Sequence, residues 1–157
     1  MARKSCREKL ADDRGLPRVE PLEGKMRDRF GEGTILIPSA REIDALMRRV
    51  KKGRLTTINE IRGRLAARHG ATMVCPIVTG IHARIAAGAA GEDEAEGKTR
   101  VTPYWRTLKA RGEINEKYPG GLDDQRRRLE AEGHEIVARG KRLFVKDYAT
   151  KLADLGD

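Results

Sequence analysis

Apolar side chains first recur with a regular period near residue 34. Thr34-Ile35-Leu36-Ile37-Pro38 reads as the start of order, and Ser39 followed by Glu42 forms a helix-opening pair. In that arrangement each side chain satisfies an orphan backbone N–H of the other residue. Ile43, Leu46, Met47 and Val50 then share one helical face, which Gly53 closes. A second start, Thr57 with Glu60, leads a helix through Ile58, Ile61 and Leu65 to His69-Gly70. Pro76 suits the first turn of a third helix carrying Ile77, Gly80, Ile81, Arg84 and Ile85. Thr57–His69 and Pro76–Ala90 form two consecutive helices with a short connection, a helix-turn-helix candidate.

From Val101 the period changes. Trp105 to Lys109 and Glu113-Ile114-Asn115 read as short strands joined by the turn Ala110-Arg111-Gly112. A second turn, Tyr118-Pro119-Gly120-Gly121, leads into a helix over Leu122–Glu132 stopped by Gly133. Ile136-Val137 and Leu143-Phe144-Val145 flank Arg139-Gly140-Lys141 as a second hairpin, and a short helix over Asp147–Leu155 closes the chain. Residues 1–33 mix charges with Gly15, Pro17, Pro21, Gly24, Gly31 and Gly33 and have no sustained apolar period. They are expected to be a basic, disordered leader. The expected fold class is α+β, mainly helical: a winged helix-turn-helix over 34–146 with C-terminal β-hairpins, then a short C-terminal helix over 147–157.

Charge sharpens this picture. The chain has 157 residues, 36% charged and 38% apolar, with a formal net charge of +9. An excess of Lys and Arg favours polyanionic partners, because each neutralised phosphate releases a condensed counterion. Cys6 and Cys75 lie far apart and match no metal or redox spacing. Unpaired thiols fit a reducing cytosol, so the expected location is cytoplasmic, beside the nucleoid in a bacterial cell. No stretch reads as a membrane span or a signal core. No cofactor or metal is expected.

Five segments, taken in order across residues 35 to 136, carry a family resemblance. Leu55-Thr56-Thr57-Ile58-Asn59-Glu60-Ile61, Val78-Thr79-Gly80-Ile81, Pro103-Tyr104-Trp105-Arg106, Tyr118-Pro119-Gly120-Gly121 and Leu129-Glu130-Ala131-Glu132-Gly133-His134 are those segments. They resemble, respectively, the V-T-T-Y-G-Q-I, V-G-G-A, P-C-H-R, Y-S-G-G and L-L-x-x-E-G-H motifs of the DNA-binding domain of the O6-alkylguanine-DNA alkyltransferases and alkyltransferase-like proteins. The resemblance implies a base pocket of Pro103, Tyr104, Trp105, Arg106, Tyr118, Pro119, Gly120 and Glu132. It also implies a DNA-contacting set of Thr56, Thr57, Pro76, Thr79, Gly80, His82, Arg84 and Arg126. Where the alkyltransferases carry an N-terminal α/β domain, only the leader is expected here.

The departures decide the expected chemistry. In the alkyltransferases a cysteine thiolate, generated by a histidine that a glutamate holds, accepts the alkyl group; the thiolate is the nucleophile. Here Tyr104 and Trp105 stand at those two positions and Glu132 keeps no histidine to orient. Transferase activity is therefore expected to be absent. Alkyltransferase-like proteins recognise alkylated bases without repairing them, and Tyr104 and Trp105 are candidate stacking surfaces for such a base. Trp105, the single Trp, is equally a candidate core residue, and Arg106 is expected to be structural. Pro76 stands where the family inserts an arginine into the duplex, which weakens base flipping. The acidic stretch around Glu92, Asp93, Glu94 and Glu96 is expected to be a solvated loop turned from DNA. The expected partner is double-stranded DNA, alkylated or otherwise modified, bound by a monomer linked to a repair protein. The competing readings are a general DNA-binding module, a protein-interaction domain and an enzyme using Cys75 as a displaced acceptor.

Overall fold

The computed structural model describes residues 3–156; residues 1 and 2 of the expected leader and residue 157 of the expected terminal helix lie outside the described residues. The architecture is α+β and mainly helical, with a C-terminal hairpin. Strand β1 (Arg18–Pro21) pairs antiparallel with β2 (Thr34–Ile37), and β2 pairs parallel with the two-residue β4 (Met73–Val74). Helix α3 (Ala40–Arg48) opens with the expected reciprocal cap between Ser39 and Glu42. Helix α4 (Ile58–His69) follows β3 (Thr56–Thr57), whose second threonine accepts from the Glu60 N–H. Gly70 ends α4 in the left-handed region, where a side chain would be strained.

Helix α5 (Pro76–Ala95) is the central element. Its inward stripe of Ala83, Ala86, Ala87 and Ala90 packs into a core with Leu36, Ile43, Leu46, Met47, Ile61 and Leu65. A smaller core of Leu55, Leu108, Ile114, Leu129 and Val145 lies beneath α6 (Gly121–Ala131) and the hairpin of β6 (Ile136–Arg139) and β7 (Arg142–Val145). Trp105 packs against both.

Four expectations are corrected. The leader, expected to be disordered, carries α1 (Cys6–Ala11), β1 and α2 (Gly24–Phe30). Ser5 and Glu8 cap α1 reciprocally, and the Glu92 carboxylate accepts from the Cys6 and Arg7 N–H groups at 2.8 and 3.1 Å. Arg7 also pairs with Glu92, Asp93 and Glu96. The acidic stretch is accordingly no loop: α5 runs through it to Ala95, and its carboxylates hold the leader down.

The first expected hairpin is absent as well. Tyr104–Arg106 is a 3-10 turn, and β5 (Thr107–Leu108) instead pairs parallel with β3. Glu113 bridges to Phe144 of β7, so the segment after the turn serves the other hairpin. The expected C-terminal helix is only a 3-10 turn at Tyr148–Lys151, after which Ala153 donates to the Leu55 carbonyl at 2.8 Å. That extended exit leaves no helical ladder to propagate.

The α1–α5 contact depends on a missing side chain, since a Cβ on Gly88 would collide with Cys6 Sγ. Burial, reinforced by Glu92, raises the Cys6 thiol pKa above its ordinary value and keeps it poorly reactive. Gly88→Leu is expected to displace α1, destabilise the fold by about 1–3 kcal/mol and speed alkylation of Cys6. Unchanged Cys6 labelling kinetics in that variant would refute the packing.

Candidate nucleic-acid interface

Helices α4 and α5 are joined by residues 70–75, a connection clamped where it enters α5. Arg62 Nε on α4 donates to the Val74 carbonyl at 3.0 Å, and the Cys75 N–H donates to the Leu36 carbonyl at 2.9 Å. The second helix therefore leaves β4 at a set angle to the first. Thr79, Ala83, Ala86 and Ala90 occupy the inward stripe of α5, while Pro76, Ile77, Gly80, Ile81 and Arg84 occupy the opposite one. Ile77 is 72% exposed and Ile81 40%. A Cβ on Gly80 would meet nothing within 4 Å. The outward face is thus uncovered, nearly free of polar groups in its first two turns, and bounded by the exposed Arg84.

Of the expected DNA-contacting residues, Pro76, Arg84 and Arg126 are exposed, and Gly80 faces open space. Thr56, Thr57 and Thr79 are not presented: all three are buried. Thr57 caps α4, and Thr79 Oγ1 donates back to the Cys75 carbonyl at 2.7 Å. His82 is half-buried, and burial lowers its pKa. Arg126 lies 3.5 Å from Glu130 across one helical turn, an exposed pair of small energetic weight.

The expected base pocket is filled by its own rings. Tyr104 is 1% exposed and Tyr118 3%. Tyr104 meets Trp105 and Tyr118 edge-on, with centroids 5.3 and 5.7 Å apart, a favoured aromatic geometry. The Tyr104 hydroxyl donates to the Pro119 carbonyl at 3.4 Å, and Pro103 is buried beside it. Gly120 precedes α6 in the left-handed region. Burial pushes the Tyr104 pKa up to about 12 and raises that of Tyr118 further. Trp105 is partly exposed, but the Arg128 guanidinium lies 4.5 Å from its ring centroid. Two carboxylates hold Arg128 there, Glu94 through paired bonds at 2.9 and 3.0 Å and Asp124 at 2.9 Å.

Beneath the rings, Glu132 is far from idle. It accepts from Trp105 Nε1 at 3.1 Å and from Arg106 Nη2 at 2.7 Å and Nε at 2.9 Å. Arg106 Nη1 reaches the Val50 carbonyl at 2.7 Å. With no histidine to orient, Glu132 holds Trp105 and Arg106 instead, and Arg106 holds structure together. Gln125, fully buried, accepts from the Asn115 N–H and donates to the Trp105 carbonyl, fixing the 3-10 turn from α6.

Arg128 was absent from the expected site residues. The helical period nonetheless sets it on the face of Gln125 and Leu129, three residues after one and one before the other. Among the described residues no group of His, Cys, Asp and Glu is arranged to hold a metal ion, and no helix is long and apolar enough to cross a membrane.

Comparison with protein-family models finds no match, and comparison with curated proteins finds none either. Among solved structures the chain is similar to S. pombe Atl1 in complex with damaged DNA containing O6-carboxymethylguanine. The two share 19% identity over 73% of this chain and 94% of that one, with a TM-score of 0.48. Similarity at this level assigns neither a family nor a function.

Burial raises the Glu132 pKa, but the Arg106 and Trp105 hydrogen bonds and the Arg106 charge outweigh it and leave the carboxyl below its ordinary 4.5. A depressed folded-state value gives stability that is present above 4.5 and lost as pH falls through the lower value. Glu132→Ala, which strands the Arg106 cation, is expected to cost about 3–5 kcal/mol at pH 7. In denaturant unfolding from pH 8 to 3, its deficit against wild type should shrink once pH drops below 4.5. A deficit constant across that range would refute the pairing.

Proposed function

We propose that this chain is a non-catalytic protein that binds duplex DNA, with α4 and α5 acting as a helix-turn-helix and the β6–β7 hairpin as its wing. The observation that carries this reading is the uncovered face of α5. It is a rigid helix face bounded by Arg84 on a chain of net charge +9. In a helix-turn-helix the first helix crosses the phosphate backbone and the second lies in a groove. Gly80, with open space where its side chain would be, permits close approach of a groove wall.

The position that corresponds to the alkyltransferases' acceptor offers no thiol. Tyr104 is a phenol with a pKa near 12, sealed from solvent. Recognition of an alkylated or otherwise modified base, and with it a link to repair, is the finer form of the proposal. Trp105 is its candidate stacking ring, and the base must displace or overlie Arg128 to reach it. The filled aromatic cluster supports the plainer form, general duplex binding.

A second reading has its own support. Val19, Met26, Phe30, Ile77 and Ile81 are large apolar side chains left exposed. Several of them border a groove of about 530 Å³ between α2 and the start of α5, and exposed apolar surface of this kind also marks protein-interaction sites.

One titration separates these readings: a fluorescent duplex carrying O6-methylguanine and its unmodified twin, at two salt concentrations. Salt-sensitive binding to both is expected, weakened tenfold or more by Ile77→Glu with Ile81→Glu while the melting temperature holds. A preference for the modified strand would favour the lesion form. Failure of wild type to bind either duplex would overturn the DNA reading and leave the apolar face to a protein partner.

A further inference from the structure

The α3–α4 connection carries the densest run of positive charge in the chain. Residues 48–54 read Arg-Arg-Val-Lys-Lys-Gly-Arg, five cations in seven positions. The carboxylate of Asp44 occupies Arg48, and Arg49 Nη1 donates to the Leu155 carbonyl. Lys51, Lys52 and Arg54 are exposed, and among the described residues none of the three is paired with a carboxylate. An unpaired surface cation keeps its full attraction for an incoming anion.

The turn that presents them is a built one. Val50 and Leu55, at its two ends, are 1% and 0% exposed. The Val50 carbonyl accepts from Arg106, the same guanidinium that Glu132 grips, and the Arg54 N–H closes the turn on the Lys51 carbonyl at 2.9 Å. On the far side, the Leu55 N–H donates to the Lys151 carbonyl at 2.9 Å. A cavity of about 430 Å³ opens beside the turn, lined by Arg49, Lys51, Arg54, Leu152, Ala153 and Asp154. The cations therefore project from a fixed base.

Position supplies the ligand. Arg54 stands four residues before Ile58, the first residue of α4, so it lies no more than about 14 Å from that helix start. The first helix of a helix-turn-helix crosses the duplex backbone. From this juxtaposition we infer that the Lys51-Lys52-Gly53-Arg54 turn is a phosphodiester-binding site, a clamp on the backbone of the same duplex that α5 enters. The inference rests on the DNA-binding reading of α4 and α5. The turn contacts phosphates alone, so it adds affinity and salt dependence without sequence preference.

The test compares two triple variants of the full chain with equal loss of charge. One is Lys51→Gln, Lys52→Gln and Arg54→Gln. The other is Arg3→Gln, Lys9→Gln and Arg14→Gln in and around α1, which packs on the opposite end of α5. Affinity for one unmodified duplex is measured from 50 to 300 mM salt, a range on the order of that used for such slopes. The turn variant is expected to flatten the plot of log affinity against log salt by about two to three, at about 0.9 per lost phosphate contact. The α1 variant should leave that slope nearly unchanged. All changes are on exposed side chains, so both variants should melt with wild type, within about 0.5 kcal/mol.

Equal flattening by the two variants would reduce the effect to net charge and overturn the clamp. An unchanged slope in the turn variant would overturn it too, while leaving α5 as a DNA-binding element. So would loss of binding to phosphatidylglycerol vesicles with DNA affinity intact, which would assign the turn to a membrane surface. A wild-type chain that bound no duplex at any salt would bring down the helix-turn-helix reading and the clamp together.

Discussion

Burying a guanidinium is tolerable only when every one of its donors finds an acceptor and its charge finds a counter-charge. Arg106 places each of its three nitrogens on an acceptor by drawing three distant parts of the chain to one point. Its carboxylate partner, Glu132, sits at the end of α6, its carbonyl acceptor, Val50, lies just past α3, and its own backbone belongs to the turn that carries Tyr104 and Trp105. Because Glu132 also takes the Trp105 N–H, the indole is fixed in the seam between the two cores. The larger core can hold α5 against α3 and α4 while the smaller one holds α6 and the hairpin. The ion pair and the tryptophan thus join the two clusters, alongside the Arg128–Glu94 pair and the β3–β5 strands.

This constraint explains why the aromatic rings do not form an open pocket. Trp105 is anchored from below by Glu132 and covered from above by Arg128, which Glu94 and Asp124 hold in turn. Tyr104 and Tyr118 close the remaining space. A ring with both its N–H and its face engaged is part of the scaffold. The surface left for a partner is then the outer stripe of α5, whose small inward residues draw it deep into the core and whose isoleucines are left bare.

Much of the fold was legible in the sequence because local rules dominate it. The Ser39–Glu42 box, the Thr57 cap, Pro76 at a helix start and the 3.6-residue period placed the starts of α3, α4, α5 and α6 to within a residue, though α3 stops at Arg48, short of Gly53, and α5 runs on past Ala90 to Ala95; the β6–β7 hairpin was equally plain. The leader was misread because its order is tertiary. Its capping box, Ser5 with Glu8, is a visible signal, but α1 has no buried residue and is held by carboxylates some eighty-five positions away. The hairpin expected after Trp105 failed for a related reason. Two-residue strands carry almost no pattern, and β5 takes its partner from β3, a parallel pairing that no turn signal announces. For the site, residue identity was readable and burial was not. Thr57 and Thr79 look like surface polar residues until their hydroxyls are seen to bond the backbone, and Thr56 until it is seen fully buried.

Net charge, too, means something different once the fold is known. The acidic stretch of α5 does not oppose a polyanion as a free negative patch would. Arg7 pairs with Glu92, Asp93 and Glu96, Lys98 with Asp93, and Arg128 with Glu94. The acids are thereby spent on holding α1 and α6 to the far half of α5. Charge left without an internal partner accumulates elsewhere, most densely in the turn before α4. A 20-residue helix spans about 30 Å, several screening lengths at physiological salt. Phosphates at the start of α5 are then several screening lengths from the acids at its end. The excess of +9 acts as a local field, and its direction follows from which carboxylates the fold has already used.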